Sequence, residues 1–162
     1  MNAYVSLGSN LGDRAGNLLL GVRGMLAASL EITRLSQIYE TEAVETFAQP
    51  AFLNMVAELR GSSLPRPEEL LARLLKIEYA LGRTREAAMA PRTLDLDLLL
   101  YPDEISDTQF LTLPHPRLHR RRFVLVPLNE LAPRLVHPKL NKTISELLGE
   151  LHEDSDVKLW SP

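Results

Sequence analysis

The chain has 162 residues, close to the usual size of one domain, so we expect residues 1–162 to form a single domain. A net charge of −3 disfavours a general nucleic-acid or membrane-surface binder, because such proteins usually carry a basic excess. The lack of cysteine excludes disulfide scaffolds, cysteine-ligated metals and thiol catalysis. We also expect no signal peptide and no membrane span, which favours a cytoplasmic protein.

The periodicity of apolar residues predicts six elements over the first two thirds of the chain. In order they are a strand at 3–7, a helix at 17–28, strands at 32–39 and 52–59, a helix from 67 to 82 and a strand at 93–101. Two stretches without a period, 40–50 and 83–92, predict long surface loops, which are often functional in small domains.

This β-α-β-β-α-β order is typical of the ferredoxin-like split pattern, an α+β fold whose antiparallel sheet carries helices on one face. The last third adds a predicted hairpin at 102–113, a short helix at 116–120 and helices at 123–131 and 143–151. Thr143 and Glu146 have the spacing of a capping box at the start of the last helix.

An acidic pair marks the strand at 93–101. Strand alternation sends its leucines to one face, and Asp95 and Asp97 to the other. Two carboxylates about 7 Å apart on one strand face repel each other unless a cation lies between them. Magnesium, which takes one or two carboxylates plus water and phosphate oxygens, suits this pair. The alternative is a half-exposed strand whose outer face is acidic.

Arginines surround this acidic strand in the sequence. Arg83, Arg85 and Arg92 lie in the stretch that precedes it, and residues 115–122 hold four more arginines and no acid. Although single arginines are usually solvated, a guanidinium fork beside a metal site also pairs well with phosphate oxygens. Walker and GxGxxG motifs are absent, so side chains and metal, not a glycine loop, would hold a nucleotide triphosphate.

The histidines do not indicate a zinc site. His115 and His119 have helical spacing, but prolines flank His115 and place it at or before a helix start. We therefore expect His115 to hydrogen-bond an anion or a nucleotide. His137 and His152 are expected at the surface.

Asn54 stands in an apolar strand, where its paired donor and acceptor suit the edge of a planar heterocycle. Phe123, next to the arginine cluster, either stacks on such a ring or packs in the core, and the same choice applies to Phe52.

Five segments of the sequence resemble the 6-hydroxymethyl-7,8-dihydropterin pyrophosphokinases of folate biosynthesis, in order from about residue 3 to residue 138. The segments are LGSNLG at 7–12, QPAFLN at 49–54, the stretch from Ile77-Glu78 to Leu81-Gly82-Arg83-Thr84-Arg85, PRTLDLD at 91–97 and LPHPRL at 113–118. The resemblance implies transfer of pyrophosphate from ATP to the pterin hydroxymethyl group with release of AMP. It implies two magnesium ions and small-molecule substrates, and we expect a monomer.

The resemblance also implies residue roles. Asp95 and Asp97 match metal ligands, and Glu78 matches a structural glutamate near the nucleotide. Arg83 and Arg92 match the catalytic arginines, which also bind ATP. The other residues matched to ATP binding are Arg85, His115 and Arg121. The positions matched to the pterin pocket are Thr41, Val44, Asn54 and Phe123.

Two departures fall in the predicted loops. Met89-Ala90 stand where many members have an aromatic residue and glycine, and Glu45 stands where a glycine is common, which affects loop closure more than the reaction type.

Asp97 is a candidate general base only if metal does not fully engage it. Two other functions stay open: another two-metal nucleotidyl or phosphoryl transferase on a palm-type sheet, and a ferredoxin-like module that binds a nucleotide without turnover.

Overall fold

The fold is organised around one antiparallel sheet. It is seen in a computed structural model that describes residues 1–42, 50–82, 93–152 and 155–162. Its strands are β1 (Ala3–Ser9), β2 (Ile32–Leu35), β3 (Tyr39–Thr41), β4 (Phe52–Leu59), β5 (Asp95–Leu100) and β8 (Val157–Leu159), with a separate hairpin of β6 (Ser106–Asp107) and β7 (Thr112–Leu113). Its helices are α1 (Arg14–Ala27), α2 (Pro67–Ala80), α3 (Arg122–Leu131) and α4 (Ile144–Glu150), with short 3-10 turns at Gly61–Ser63 and Leu118–Arg120.

The order of strands in the sheet confirms the ferredoxin-like prediction. The strands run β5-β1-β4-β3-β8, and β2 pairs with β4 beside β3. Since β2 and β3 occupy successive parts of the same edge of β4, they act together as the second strand of the predicted β-α-β-β-α-β core. All the pairings are antiparallel.

The first face of the sheet packs against α1 and α2. Alternate residues of the central strands, such as Leu7 on β1 and Leu53 on β4, are fully buried there against Leu18 and Leu74 of the helices. At Gly21 a Cβ atom would lie 2.9 Å from a methyl of Leu94, so glycine lets α1 approach the sheet closely.

The second face is covered as well, which the prediction of helices on one face missed. Helix α3 lies against β4 and β3, and α4 packs on α3. They bury a second apolar cluster that includes Val56, Leu99, Leu125, Leu128 and Ile144. The helix Ile144–Glu150 begins with the predicted capping box, in which the Thr143 side chain accepts from the Glu146 N–H.

Two edge features differ from the sequence prediction. The single strand predicted at 32–39 is interrupted at Ser36, whose hydroxyl accepts from the Val56 N–H at 2.9 Å in place of a backbone carbonyl. Glu40 and Thr41, predicted as loop, lie in β3 instead, because β4 and the unpredicted β8 pair with β3 on both sides.

A buried carboxylate ties the second face to α3. Glu58 is 5% exposed and accepts hydrogen bonds from Tyr4 (2.8 Å), Thr33 (2.7 Å) and both Nε and an Nη of Arg34 (3.1 and 2.8 Å). The same Arg34 Nη also donates to the Leu131 carbonyl at 2.6 Å, at the end of α3. These bonds, above all the one from Arg34, lower the pKa of Glu58 to about 2.

We expect Glu58→Gln to lower the free energy of unfolding at neutral pH by about 2 kcal/mol, because hydrogen bonds to a buried charge are lost. Since folding lowers the pKa of Glu58 from 4.5 to about 2, its stabilisation is present above pH 4.5 and disappears as the pH falls to about 2. Urea denaturation measured from pH 7 to pH 2 should therefore show a shallower acid loss in the variant than in the wild type.

The matched control is Glu31→Gln. Glu31 pairs with Arg60 at 2.7 Å, but both side chains are more than half exposed, so this variant should cost less than about 1 kcal/mol. Equal losses in the two variants would show that the Glu58 network does not stabilise the fold as argued.

Candidate active site

A row of residues across four strands forms the floor of the site. Gly8 on β1 is paired with Asn54 on β4 and with Asp95 on β5, and Tyr39 on β3 is opposite Asn54. Residues paired in this way project to the same side of a sheet, here the second face. The amide predicted to read a ring edge and the first carboxylate of the acidic pair therefore lie two strands apart on one face.

Gly8 keeps this row open. A Cβ atom at this position would lie 2.9 Å from Asn54 Oδ1 and 3.8 Å from the ring of Phe52. Any larger residue would push the amide away from the middle of the row. In the sequence Gly8 stands in a turn cluster and in the LGSNLG segment; the signal for its role is a glycine within a fully buried strand.

Two polar atoms at this end of the face are buried without a hydrogen-bond partner. They are Thr41 Oγ1 and Asn54 Nδ2, on side chains that are each 3% exposed. Neither atom bonds to any part of the chain that the structure describes. Buried polar groups are normally satisfied, so atoms left unpaired in this way fit a polar ligand.

The acidic pair faces the same side. Asp95 and Asp97 are half-buried, while Leu94, Leu96 and Leu98 are buried on the opposite face, as strand alternation predicts. Within the described residues no group of three or more acidic or histidine side chains is placed to hold a metal ion. Two carboxylates alone fit magnesium, which usually completes its shell with water and phosphate oxygens.

Strand β5, which carries the acidic pair, is supported along its outer edge. The amide of Leu96, between the two aspartates, donates to Glu78 Oε2 of α2 at 2.7 Å. Further along, the Leu99 carbonyl accepts from the His115 N–H at 2.9 Å. Glu78 is 1% exposed, so its carboxylate forms part of the scaffold beneath the pair, in agreement with the structural role expected for it.

His115 is a neutral hydrogen-bond donor. Burial, followed by the charges of Arg121 and Arg117, lowers its pKa to about 4. The Arg117 N–H donates to His115 Nδ1 at 3.1 Å, so the ring proton is on Nε2. A neutral imidazole with an Nε2 proton can donate to a phosphate oxygen at neutral pH.

Helix α3 brings its first turn to the same face of the sheet. Arg121 is its N-cap residue, and its guanidinium carbon lies 5.6 Å from the centre of the Phe123 ring. Phe123 is half-buried against the second apolar cluster. The Phe123 ring thus contacts both the second apolar cluster and the guanidinium of Arg121.

Other expectations fall outside the described residues or are wrong. Arg83, Arg85, Arg92 and Val44 lie in the parts of the chain that are not described, as do Glu45 and Met89-Ala90. His137, expected at the surface, is 4% exposed, and its Nδ1 accepts from the amides of residues 139 and 140, which caps a turn. No helix in the described ranges is both long enough and apolar enough to cross a bilayer.

The fold and the site define an α+β ferredoxin-like protein whose second sheet face carries a carboxylate pair and buried, unpaired polar atoms. Residues 4–133 match the family described as 7,8-dihydro-6-hydroxymethylpterin-pyrophosphokinase (HPPK). The chain belongs to this family.

Relatives named 2-amino-4-hydroxy-6-hydroxymethyldihydropteridine pyrophosphokinase support the assignment. The one from Aquifex aeolicus is 40% identical over 147 residues, which cover 91% of this chain and 90% of the relative. The one from Bacillus subtilis is 45% identical over 134 residues, which cover 82% of this chain and 79% of the relative.

Solved structures show the same fold. A Plasmodium falciparum HPPK-DHPS structure superposes with a TM-score of 0.67 at 16% identity, over 92% of this chain and 45% of that one. An HPPK-DHPS structure in complex with substrates gives a TM-score of 0.70 at 14% identity and the same coverage. The chain thus spans less than half of these longer proteins, and the likeness concerns the fold alone.

The unpaired hydroxyl of Thr41 leads to a stability prediction. Thr41→Val keeps the shape of the side chain and removes a buried group that has no partner, so the free energy of unfolding of the ligand-free protein should rise by about 1 kcal/mol. Thr33→Val is the control, because Thr33 Oγ1 donates to Glu58 at 2.7 Å and its loss should destabilise the protein. Destabilisation by Thr41→Val in urea denaturation would show that its hydroxyl is already satisfied.

The low pKa of His115 can be measured directly by NMR titration of its ring resonances. We expect no change between pH 8 and pH 6 and a midpoint near 4. Arg121→Gln should move the midpoint upward, because Arg121 lowers the pKa of His115 more than Arg117 does. A midpoint near the ordinary value of 6.5 in the wild type would show that burial and the two arginines do not lower the pKa of His115.

Proposed function

We propose that the second face of the sheet binds both substrates of the family reaction side by side. Asp95 and Asp97 would hold magnesium bound to the ATP phosphates, with His115 and Arg121 on the nucleotide. Thr41 and Asn54 would bind the edge of the pterin, and Phe123 would stack on its ring. We also propose that the site uses two magnesium ions, as the resemblance implies.

The reaction follows from family membership. The enzyme transfers pyrophosphate from ATP to the hydroxymethyl group of 6-hydroxymethyl-7,8-dihydropterin, in folate biosynthesis. The hydroxymethyl oxygen forms a bond to the β-phosphorus, and the bond from that phosphorus to the α,β-bridging oxygen breaks. AMP is the leaving group, and the alcohol proton is lost from the attacking oxygen.

The observation that carries the assignment of roles is the row Asp95–Gly8–Asn54. Asp95 and Asn54 are two strands apart, so their backbones are separated by about 10 Å. A hydroxymethyl arm at the ring edge can reach a phosphorus beside the carboxylate over that distance. Two unpaired buried polar atoms, Thr41 Oγ1 and Asn54 Nδ2, support the pterin end.

Catalysis at such a site depends on alignment and charge neutralisation more than on proton transfer. Magnesium, when bound, would neutralise the triphosphate and orient it. His115, as a neutral donor, and Arg121 would add hydrogen bonds to phosphate oxygens. We assign no general base; Asp97 is a candidate only if it is not fully committed to metal.

Several parts of the proposal rest on the resemblance alone. These are the roles of Arg83 and Arg92 as catalytic arginines, of Arg85 on ATP and of Val44 at the pterin. We also propose that residues 1–162 act as one pyrophosphokinase domain, as a monomer in the cytoplasm. The presence of both apolar clusters on one sheet supports the single domain.

The test is incubation of the purified protein with ATP, magnesium and 6-hydroxymethyl-7,8-dihydropterin, with products separated by chromatography. AMP and the pterin diphosphate are expected in equal amounts, and chelation of magnesium should stop their formation until the ion is restored. ADP as the product would contradict the reaction, and turnover without pterin would indicate another phosphotransferase. Binding of nucleotide without turnover would favour the binding-module alternative.

Asp95→Asn tests the metal end. The variant keeps the size of the side chain and should lower kcat about 100-fold or more, since a charge held close to the transferred group is lost. Asp156→Asn is the control, because Asp156 is exposed and pairs with the exposed Lys158. Full activity of Asp95→Asn with an unchanged magnesium requirement would remove Asp95 from the metal site.

A further inference from the structure

Arg14, the first residue of α1, bridges the two strands that carry the unpaired polar atoms. Its Nη1 donates to Glu40 Oε2 at 2.6 Å and to the Ala51 carbonyl at 2.9 Å. Glu40 precedes Thr41 on β3, and Ala51 comes directly before the first residue of β4. One guanidinium nitrogen therefore joins the end of β3 to the start of β4.

The segment that presents Arg14 is itself held in place. The Asp13 side chain caps α1 by accepting from the Gly16 N–H at 3.1 Å. Asn17 Nδ2 donates to the Leu11 carbonyl at 2.8 Å and to Ser9 Oγ at 3.3 Å, which fixes the turn from the helix side. The turn and helix start that carry Arg14 are thus held in place by hydrogen bonds.

A second hydrogen bond also links the turn between β1 and α1 to the segment before β4. Asn10, which is fully buried in this turn, donates from Nδ2 to the Pro50 carbonyl at 3.4 Å. Residues 50 and 51 are therefore both bound by the turn between β1 and α1. Arg14 and Asn10 together form a set of hydrogen bonds that link this turn to the start of β4.

Local helix energetics do not explain an arginine at this position. The N-terminus of a helix carries a partial positive charge, so a cation in the first turn is unfavourable there. The Arg14 side chain is also only 25% exposed, which adds a desolvation cost. The charge-assisted bonds to β3 and β4 offset both costs and indicate a tertiary role.

We propose that Arg14 is a positioning residue for the pterin, an inference that rests on the proposed function. Backbone pairing already places β3 beside β4, and Arg14 adds a side-chain tie at the end of this pairing, which restrains Thr41 relative to Asn54 before the pterin binds. A site held in its bound geometry avoids an ordering cost on binding. Loss of Arg14 should therefore weaken pterin binding and leave nucleotide binding, which depends on β5 and the start of α3, unchanged.

The experiment is steady-state kinetics with ATP, magnesium and 6-hydroxymethyl-7,8-dihydropterin on the full chain. Arg14→Ala should raise the KM for pterin about tenfold, as expected for the loss of a charge-assisted hydrogen bond. The KM for ATP should change less than about twofold, which corresponds to a small fraction of one such bond. Arg14→Lys, which keeps the charge, should restore part of the pterin affinity.

Glu40→Gln serves as a milder variant if Arg14→Ala folds poorly, since it leaves the bond to Ala51 in place. Its KM for pterin should rise about threefold, which corresponds to about 0.7 kcal/mol. Arg60→Ala is the matched control, because Arg60 also pairs with a glutamate across the sheet edge but lies at the opposite end of β4. It should leave both KM values unchanged.

The outcomes separate this inference from the proposed function. If the wild type forms AMP only with pterin and neither Arg14→Ala nor Glu40→Gln changes the KM for pterin, the inference is wrong and the function stands. If both KM values rise together, Arg14 has a general structural role and the inference is again wrong. If the wild type forms no AMP with pterin present, the proposed function fails and the inference fails with it.

Discussion

The register of β1 against its two neighbours is the constraint on which the site depends. Gly8 is opposite both Asn54 and Asp95, so one residue of the central strand aligns the amide of one partner with the carboxylate of the other. A slip of one residue in either pairing would turn Asn54 or the aspartates toward α1 and α2. The buried leucines on the first face oppose such a slip, because it would expose them and bury the polar residues.

The carboxylates on the second face lie in two different environments. Glu58, at the end of β4 away from the site, is saturated with hydrogen bonds and held ionised by Arg34. Asp95 and Asp97 are half-buried on the same face, in the row that holds Gly8 and Asn54. Because Arg34 also bonds to the last carbonyl of α3, the saturated end anchors the helix whose first turn carries Arg121 and Phe123. A stabilising carboxylate at one end thus helps to orient the cationic and aromatic groups at the other.

The parts of this arrangement that follow from local pattern could be predicted from the sequence. Strand β4 has the predicted bounds of 52–59, and the alternation in 94–98 correctly separates the leucines from the aspartates. The parts that failed depend on distant partners. The break at Ser36 requires the amide of Val56, and β8 is a three-residue strand whose pairing with β3 joins residues more than 100 positions apart. His137 is likewise buried in a turn whose amides bond to its ring and in edge contact with the ring of His119, which its isolated position in the sequence does not indicate.

The acidic pair lies on an edge strand, which is the least constrained position in a sheet, and its surroundings compensate for this. An edge strand presents unpaired amides and carbonyls. Glu78 from α2 accepts from the Leu96 amide, and the His115 amide donates to the Leu99 carbonyl, so both kinds of edge group have partners near the pair. Because transfer between two bound substrates depends on sub-ångström alignment, a fixed strand serves it better than a free one. The buried carboxylate of Glu78 and the segment that carries His115 are therefore structural supports of the strand that carries Asp95 and Asp97.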